Sequence, residues 1–131
     1  MTICYLDTSA ALKLLIDETE SDPLATWLTE HTKNGMLLCS SFLLHTELHC
    51  AARRRRQLDE QATSVLLSGI ELVDLSREHL LSASRDTSGL RAADAIHLAV
   101  ALDLRSDLFL TYDREMHHAA QRQGLTVTAP K

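Results

Sequence analysis

Four acidic residues stand out by where they fall in the chain: Asp7, Glu47, Asp94 and Asp113. Asp7 directly follows the apolar run Ile3-Cys4-Tyr5-Leu6, and Asp113 follows Leu108-Phe109-Leu110-Thr111-Tyr112. Both therefore sit just past a strand-like segment, where open α/β sheets bind ligands. If those strands are neighbours, two carboxylates meet at one sheet edge. Glu47 and Asp94 instead interrupt helical apolar patterns, the first between Leu44 and Leu48, the second within Leu90-Arg91-Ala92-Ala93-Asp94-Ala95-Ile96-His97-Leu98-Ala99. A carboxylate facing a core is expensive unless it is paired or coordinates a cation, which makes both candidate ligands for a hard, oxygen-seeking metal ion. Each also has a plainer role open to it: a helix-surface charge for Glu47, and an acid favoured by a helix's first-turn dipole for Asp94.

Arg53-Arg54-Arg55-Arg56 is the one concentrated basic patch in a chain of formal net charge −5. That balance excludes a protein that grips nucleic acid with a broad basic surface, so any phosphate recognition is local or assisted by a cation. The patch falls where the Glu47 helix should end. It suits the helix dipole and solubility there, and it equally suits RNA phosphate or an acidic partner. Arg91, near Asp94, is placed to touch either substrate or carboxylate. His45 and His49 have the i, i+4 spacing of a zinc pair, but no third ligand is evident nearby. His97 falls on a largely apolar helix and reads as structural, while His117 and His118 read as surface residues. Cys4, Cys39 and Cys50 form an odd set without C-x-x-C spacing and are expected to be buried free thiols.

The elements that must position these residues follow from length and periodicity. A chain of 131 residues with 45% apolar and 24% charged content fits one soluble domain, residues 1–131, able to bury a core without disulfides. No apolar run approaches the roughly 18 residues of a membrane span, and the N-terminus lacks a signal peptide's basic start, so a cytoplasmic protein is expected. Short apolar runs alternate with helical periodicity, which predicts an α/β domain with a mainly parallel sheet. Strands are predicted over Thr2 to Leu6, Met36 to Cys39, Ile70 to Leu75 and Leu108 to Thr111, with an edge strand at Leu125 to Thr128. Helices are predicted after Asp7-Thr8-Ser9, over Pro23 to His31, after a Ser40-Ser41 cap, over Leu58 to Leu67, after a Ser76 cap, over Arg91 to Leu104, and around Met116 to Ala120.

Four segments carry a family resemblance. They are Tyr5-Leu6-Asp7-Thr8-Ser9-Ala10, the stretch from Ser41 through Thr46-Glu47-Leu48, Asp94-Ala95-Ile96-His97-Leu98-Ala99, and Leu110-Thr111-Tyr112-Asp113-Arg114-Glu115-Met116. In this order and spacing the chain resembles the PIN-domain nucleases, and within them the VapC toxins of toxin–antitoxin pairs, from residue 2 to about residue 128. The resemblance implies a three-layer α/β/α sandwich around a mainly parallel sheet, with an acidic pocket at the strands' carboxyl ends. It also implies RNA cleavage dependent on Mg²⁺, with Mn²⁺ as a possible substitute, by a cation-activated water and no protein nucleophile. Clustered carboxylates fit that reading, because their repulsion is relieved by a divalent cation. Asp7 and Asp94 are then expected as direct ligands, and Glu47 and Asp113 as ligands directly or through water. Ser9 and Thr111 are expected either to orient those carboxylates and waters by hydrogen bonding or to act simply as a helix cap and a strand-end hydroxyl. A VapB-like antitoxin that covers the pocket and a homodimer are implied as partners.

Two other readings are open. An aspartate after a first strand can accept a phosphoryl group, as in phosphatases and phosphotransferases. The haloacid-dehalogenase-like pattern wants a second Asp two residues on, where this chain has Ser9. A PIN-like RNA- or protein-binding module without catalysis is the remaining alternative, made less attractive by retention of all four acids.

Overall fold

The computed structural model describes all 131 residues. Strand β1 (Ile3–Leu6) leads into helix α1 (Thr8–Leu15) and α2 (Ser21–Lys33); β2 (Leu37–Ser41) is followed by α3 (Leu43–Arg54) and α4 (Glu60–Ser68). The chain continues through β3 (Glu71–Val73), α5 (Arg77–Ser84), α6 (Ala92–Asp103), β4 (Leu108–Leu110), α7 (Arg114–Arg122) and β5 (Val127–Thr128). The strands form one sheet in the order β3-β2-β1-β4-β5, and every pairing is parallel. The α/β/α architecture expected from sequence is the one observed.

Strand alternation divides the core between two faces. Cys4, Leu6, Leu38 and Leu110 pack with Ala10, Ala11, Leu24, Leu28, Leu44, Leu48 and Leu67 from α1 to α4. Tyr5, Cys39 and Phe109 point to the other face, against Leu98, Val100 and Ala101 of α6 and Met116, Ala119 and Ala120 of α7. Both faces are covered, as parallel sheets require. No helix is long and apolar enough to cross a membrane.

The order also fixes where a ligand can approach. From β1 the chain winds outward through β2 to β3, then returns to place β4 on the opposite side of β1. The direction of winding reverses between β1 and β4, and a crevice opens at the carboxyl ends of such a strand pair. Asp7 and Asp113 flank it.

Several boundaries differ from expectation. β3 covers three residues instead of six, because Phe42 N–H takes the Val73 carbonyl at 2.8 Å and the chain then leaves the sheet. Ser40 and Ser41 belong to β2 and do not cap α3 as N-cap residues. Ser40 Oγ donates to the Leu6 carbonyl at 2.8 Å, and Ser41 Oγ accepts from Leu43 N–H at 2.9 Å. Helix α2 begins before Pro23, which is tolerated in a first turn where a backbone N–H has no helical partner. Ser76 caps α5 as anticipated, in a reciprocal box with His79. Cys4 and Cys39 are buried free thiols, whereas Cys50 is exposed on α3, beyond the stripe that Leu44, Leu48 and Ala51 bury.

Candidate active site

Strand β1 delivers Asp7 to the crevice, and its N–H donates to the Leu110 carbonyl at 3.2 Å, tying the ends of β1 and β4 together. The side chain then caps α1. Oδ1 accepts from Ala10 N–H at 3.1 Å and from Ser9 Oγ at 2.7 Å, and Oδ2 accepts from Thr111 Oγ1 at 2.5 Å. Each hydroxyl is itself fixed from β4's end: Ser9 Oγ accepts from Tyr112 N–H at 2.9 Å, and Thr111 Oγ1 from Asp113 N–H at 3.1 Å. Ser9 and Thr111 thus bridge the backbone after β4 to the carboxylate after β1. With Asp7 only 2% exposed, burial pushes its carboxyl above the usual range, opposed by the bonds from Ser9, Thr111 and Ala10.

Asp113 repeats the pattern at the neighbouring strand. It caps α7, with Oδ1 accepting from Met116 N–H at 3.0 Å. Asp94 lies in the first turn of α6. Burial raises its carboxyl first, and the charges of Asp113, Asp7 and Glu47 raise it further. Asp94 thus lies near enough to the other three acids for their charges to act on it.

Glu47, on α3, is held by one oxygen. Its Oε1 accepts from Thr8 Oγ1 at 2.8 Å and lies 2.6 Å from His97 Nε2. His97 is wholly buried, and its Nδ1 is 2.6 Å from the Tyr5 hydroxyl. The sequence reading had assigned His97 a structural place in α6 and missed this contact. A signal was available: a residue three positions beyond Asp94 shares its helix face.

The other singled-out residues lie outside this cluster. Arg53 to Arg56 are exposed at the end of α3, and Arg53 meets Glu60 at 3.3 Å. Arg91 is exposed immediately before α6 and has no ion pair. The His45 and His49 rings lie tilted against each other with centroids 4.5 Å apart, and Phe42 stacks on His45 at 4.8 Å. An open depression of about 460 Å³ has Asp113, alone of the four acids, in its wall, together with Glu20, Thr111, Lys13, Arg114 and Lys131. The larger cavity of about 730 Å³, bounded by α5, α6 and α7, contains none of the four acids.

The donor set suits a hard divalent cation: four carboxylates and no thiolate or paired imidazole. No three such side chains are gathered tightly enough to ligate a metal by themselves. That spacing is unlike a closed zinc cage and compatible with Mg²⁺, which retains several waters and takes few protein ligands. The crowding that raises Asp94 is what a bound cation would relieve.

Comparison with known proteins places the chain in a family. The PIN domain family model matches residues 4–122. Ribonuclease VapC47 of Mycobacterium tuberculosis (strain CDC 1551 / Oshkosh) is 34% identical over 130 residues, covering 96% of each chain. Ribonuclease VapC46 of Mycobacterium tuberculosis (strain ATCC 25618 / H37Rv) is 36% identical over 134 residues, covering 99% of each. Among solved structures, a chain of VapBC2 from Rickettsia felis, bound to a DNA fragment from its promoter, superposes with a TM-score of 0.74. It shares 14% identity and covers 99% of this chain and 100% of that one. The chain belongs to the PIN-domain family, in its VapC branch.

Proposed function

We propose that this protein is a metal-dependent endoribonuclease, the toxin of a VapBC-type toxin–antitoxin pair, with Asp7, Glu47, Asp94 and Asp113 as its catalytic acids. The observation that carries the reading is the crowding of Asp94 by the charges of the other three at the β1–β4 crevice. Asp7 and Asp94 are assigned as direct ligands of Mg²⁺ or Mn²⁺, with Glu47 and Asp113 binding directly or through water. When bound, the ion supplies a water activated for in-line attack on phosphorus and stabilises charge on the phosphoryl oxygens.

The chain's own residues do the rest. Ser9 and Thr111 hold Asp7 rigid, and with Ala10 N–H also on Oδ1 they leave one lone pair of Oδ2 unoccupied for a cation. In the depression beside Asp113, Arg114 and Lys131 offer cationic groups to the phosphates flanking the cut bond, while Lys13 is already paired with Glu18 and with Glu20 of the same wall. The exposed Arg53 to Arg56 run, with Arg91, extends the possible contacts to RNA or to an acidic partner surface. Residues 1–131 act as a single nuclease domain in the cytoplasm, as a homodimer, and a VapB-like antitoxin covers the pocket. Two relatives bear the name ribonuclease, and structural neighbours include VapBC2 and a toxin–antitoxin complex from Klebsiella pneumoniae, which supports this assignment.

The test is direct. Purified protein with Mg²⁺ or Mn²⁺ should cleave members of an RNA panel, leaving 5′-phosphate and 3′-hydroxyl ends, and a chelator should abolish the cleavage. Chelator-resistant cleavage, or 2′,3′-cyclic ends, would overturn the mechanism; tight RNA binding without turnover would replace the enzyme with a binding module.

A further inference from the structure

We infer that the buried pair Tyr5 and His97 is a positioning device for Glu47: it fixes the His97 tautomer so that Nε2–H pins Glu47 Oε1 and leaves Oε2 to face the cation. The inference rests on the metal-dependent reading of the site. Tyr5 is held in plane by stacking on Phe109, with ring centroids 5.6 Å apart and planes 3° from parallel. Ser41 N–H donates to the phenol oxygen at 3.1 Å, occupying one of its lone pairs. A phenol keeps its hydrogen at neutral pH, and His97 Nδ1 lies 2.6 Å away to receive it. An acceptor Nδ1 places the ring hydrogen on Nε2, which faces Glu47 Oε1 at 2.6 Å. The opposite tautomer would set an imidazole lone pair against a carboxylate oxygen at that distance, which is repulsive.

Glu47 gains orientation from this arrangement. Thr8 Oγ1 donates to the same Oε1 at 2.8 Å, and neither contact reaches Oε2. A glutamate on a helix has several side-chain torsions to lose on ordering. Two donors on one oxygen, both rooted in buried residues or α1, remove that freedom before any cation arrives. Such outer partners set ligand orientation, and their loss typically lowers metal affinity about 10–100-fold.

Two measurements on the full chain test the device. In ¹⁵N-labelled protein without added metal at neutral pH, the imidazole spectrum of His97 should show a protonated Nε2 and an unprotonated Nδ1. Tyr5→Phe should mix the two tautomers. A protonated Nδ1 in the unsubstituted protein overturns the inference. In calorimetric titration with Mn²⁺, His97→Leu should weaken binding by about tenfold or more, Tyr5→Phe by less, and His97→Gln, which restores an N–H donor, should recover most of the loss. In a Glu47→Ala background, which removes the pinned oxygen, His97→Leu should add nothing. Wild-type Mn²⁺ affinity in His97→Leu, or an undiminished effect in the Glu47→Ala background, would sink the positioning role while leaving the nuclease reading intact. If the unsubstituted chain takes up no Mn²⁺ at all, both fail together. Far-UV circular dichroism establishes that each variant is folded, and the Gln rescue separates lost positioning from a damaged core.

Discussion

Asp7 and Asp113 each follow a parallel strand and each caps the helix that comes next, whereas Glu47 and Asp94 lie inside helices and cap nothing. The first pair is built into the backbone. Asp7 takes hydrogen bonds from Ala10 N–H and two hydroxyls, and Asp113 from Met116 N–H. The second pair depends on side chains alone: Glu47 is held by Thr8 and His97, and Asp94 is surrounded by like charge. Acids that follow strands therefore stabilise the fold and the proposed site together, and their loss mixes two effects. Acids inside helices separate them, since removing Asp94 relieves repulsion and costs the fold no cap.

The largest effect that can break this comparison is on catalysis. Glu47→Gln, Asp94→Asn and Asp113→Asn should each reduce RNA cleavage about 10²–10³-fold, because each withdraws charge from a site whose cation contributes several kcal/mol. A variant that cleaves RNA at the unsubstituted rate would remove its acid from the proposed set. A smaller effect sharpens the division between structural and chemical roles. Asn caps a helix about as well as Asp, so Asp113→Asn should keep its stability, while Asp113→Ala should lose about 1 kcal/mol in urea unfolding. Equal midpoints for the two variants would mean that the Asp113 cap contributes nothing to the fold.

Legibility in the sequence follows the same division. Asp7 and Asp113 stood out because a strand followed by an acid is a local pattern, and their strands do pair with each other as β1 and β4. The alternating and 3.6-residue periods located every strand and helix, since each side chain's facing is set by its immediate neighbours. Boundaries shifted where a distant partner decided them, as at Val73, whose carbonyl is taken by Phe42 N–H. The structural reading of His97 stands, but its link to Glu47 was not legible, for a related reason. Its partners Tyr5 and Glu47 lie 92 and 50 residues away, so only the packing of α6 and α3 against β1 brings them to one imidazole. The grip of Ser9 and Thr111 on Asp7 spans 102 positions between the two hydroxyls and depends on the β1–β4 pairing.

The smallest effect expected is in the pH dependence of stability. Asp94 has a folded-state pKa raised above 3.8 by burial and then by the charges of Asp113, Asp7 and Glu47. A raised acid binds its proton more tightly in the folded chain, so its contribution to stability is fully present below the unfolded value. It is lost as pH climbs through the folded one. In chelator, the unsubstituted protein should therefore lose stability from about pH 4 upward relative to Asp94→Asn, which has no proton to give up there. The difference should be modest, because Asp94 is only half-buried and water screens part of the repulsion. Adding Mg²⁺ near neutral pH should narrow the gap from the other side, since a cation bound to the folded state offsets the repulsion that ionisation creates. Thermal unfolding across that range, with and without Mg²⁺, reads both arms. Parallel curves for the two proteins in chelator would mean that neither burial nor the neighbouring charges raise Asp94.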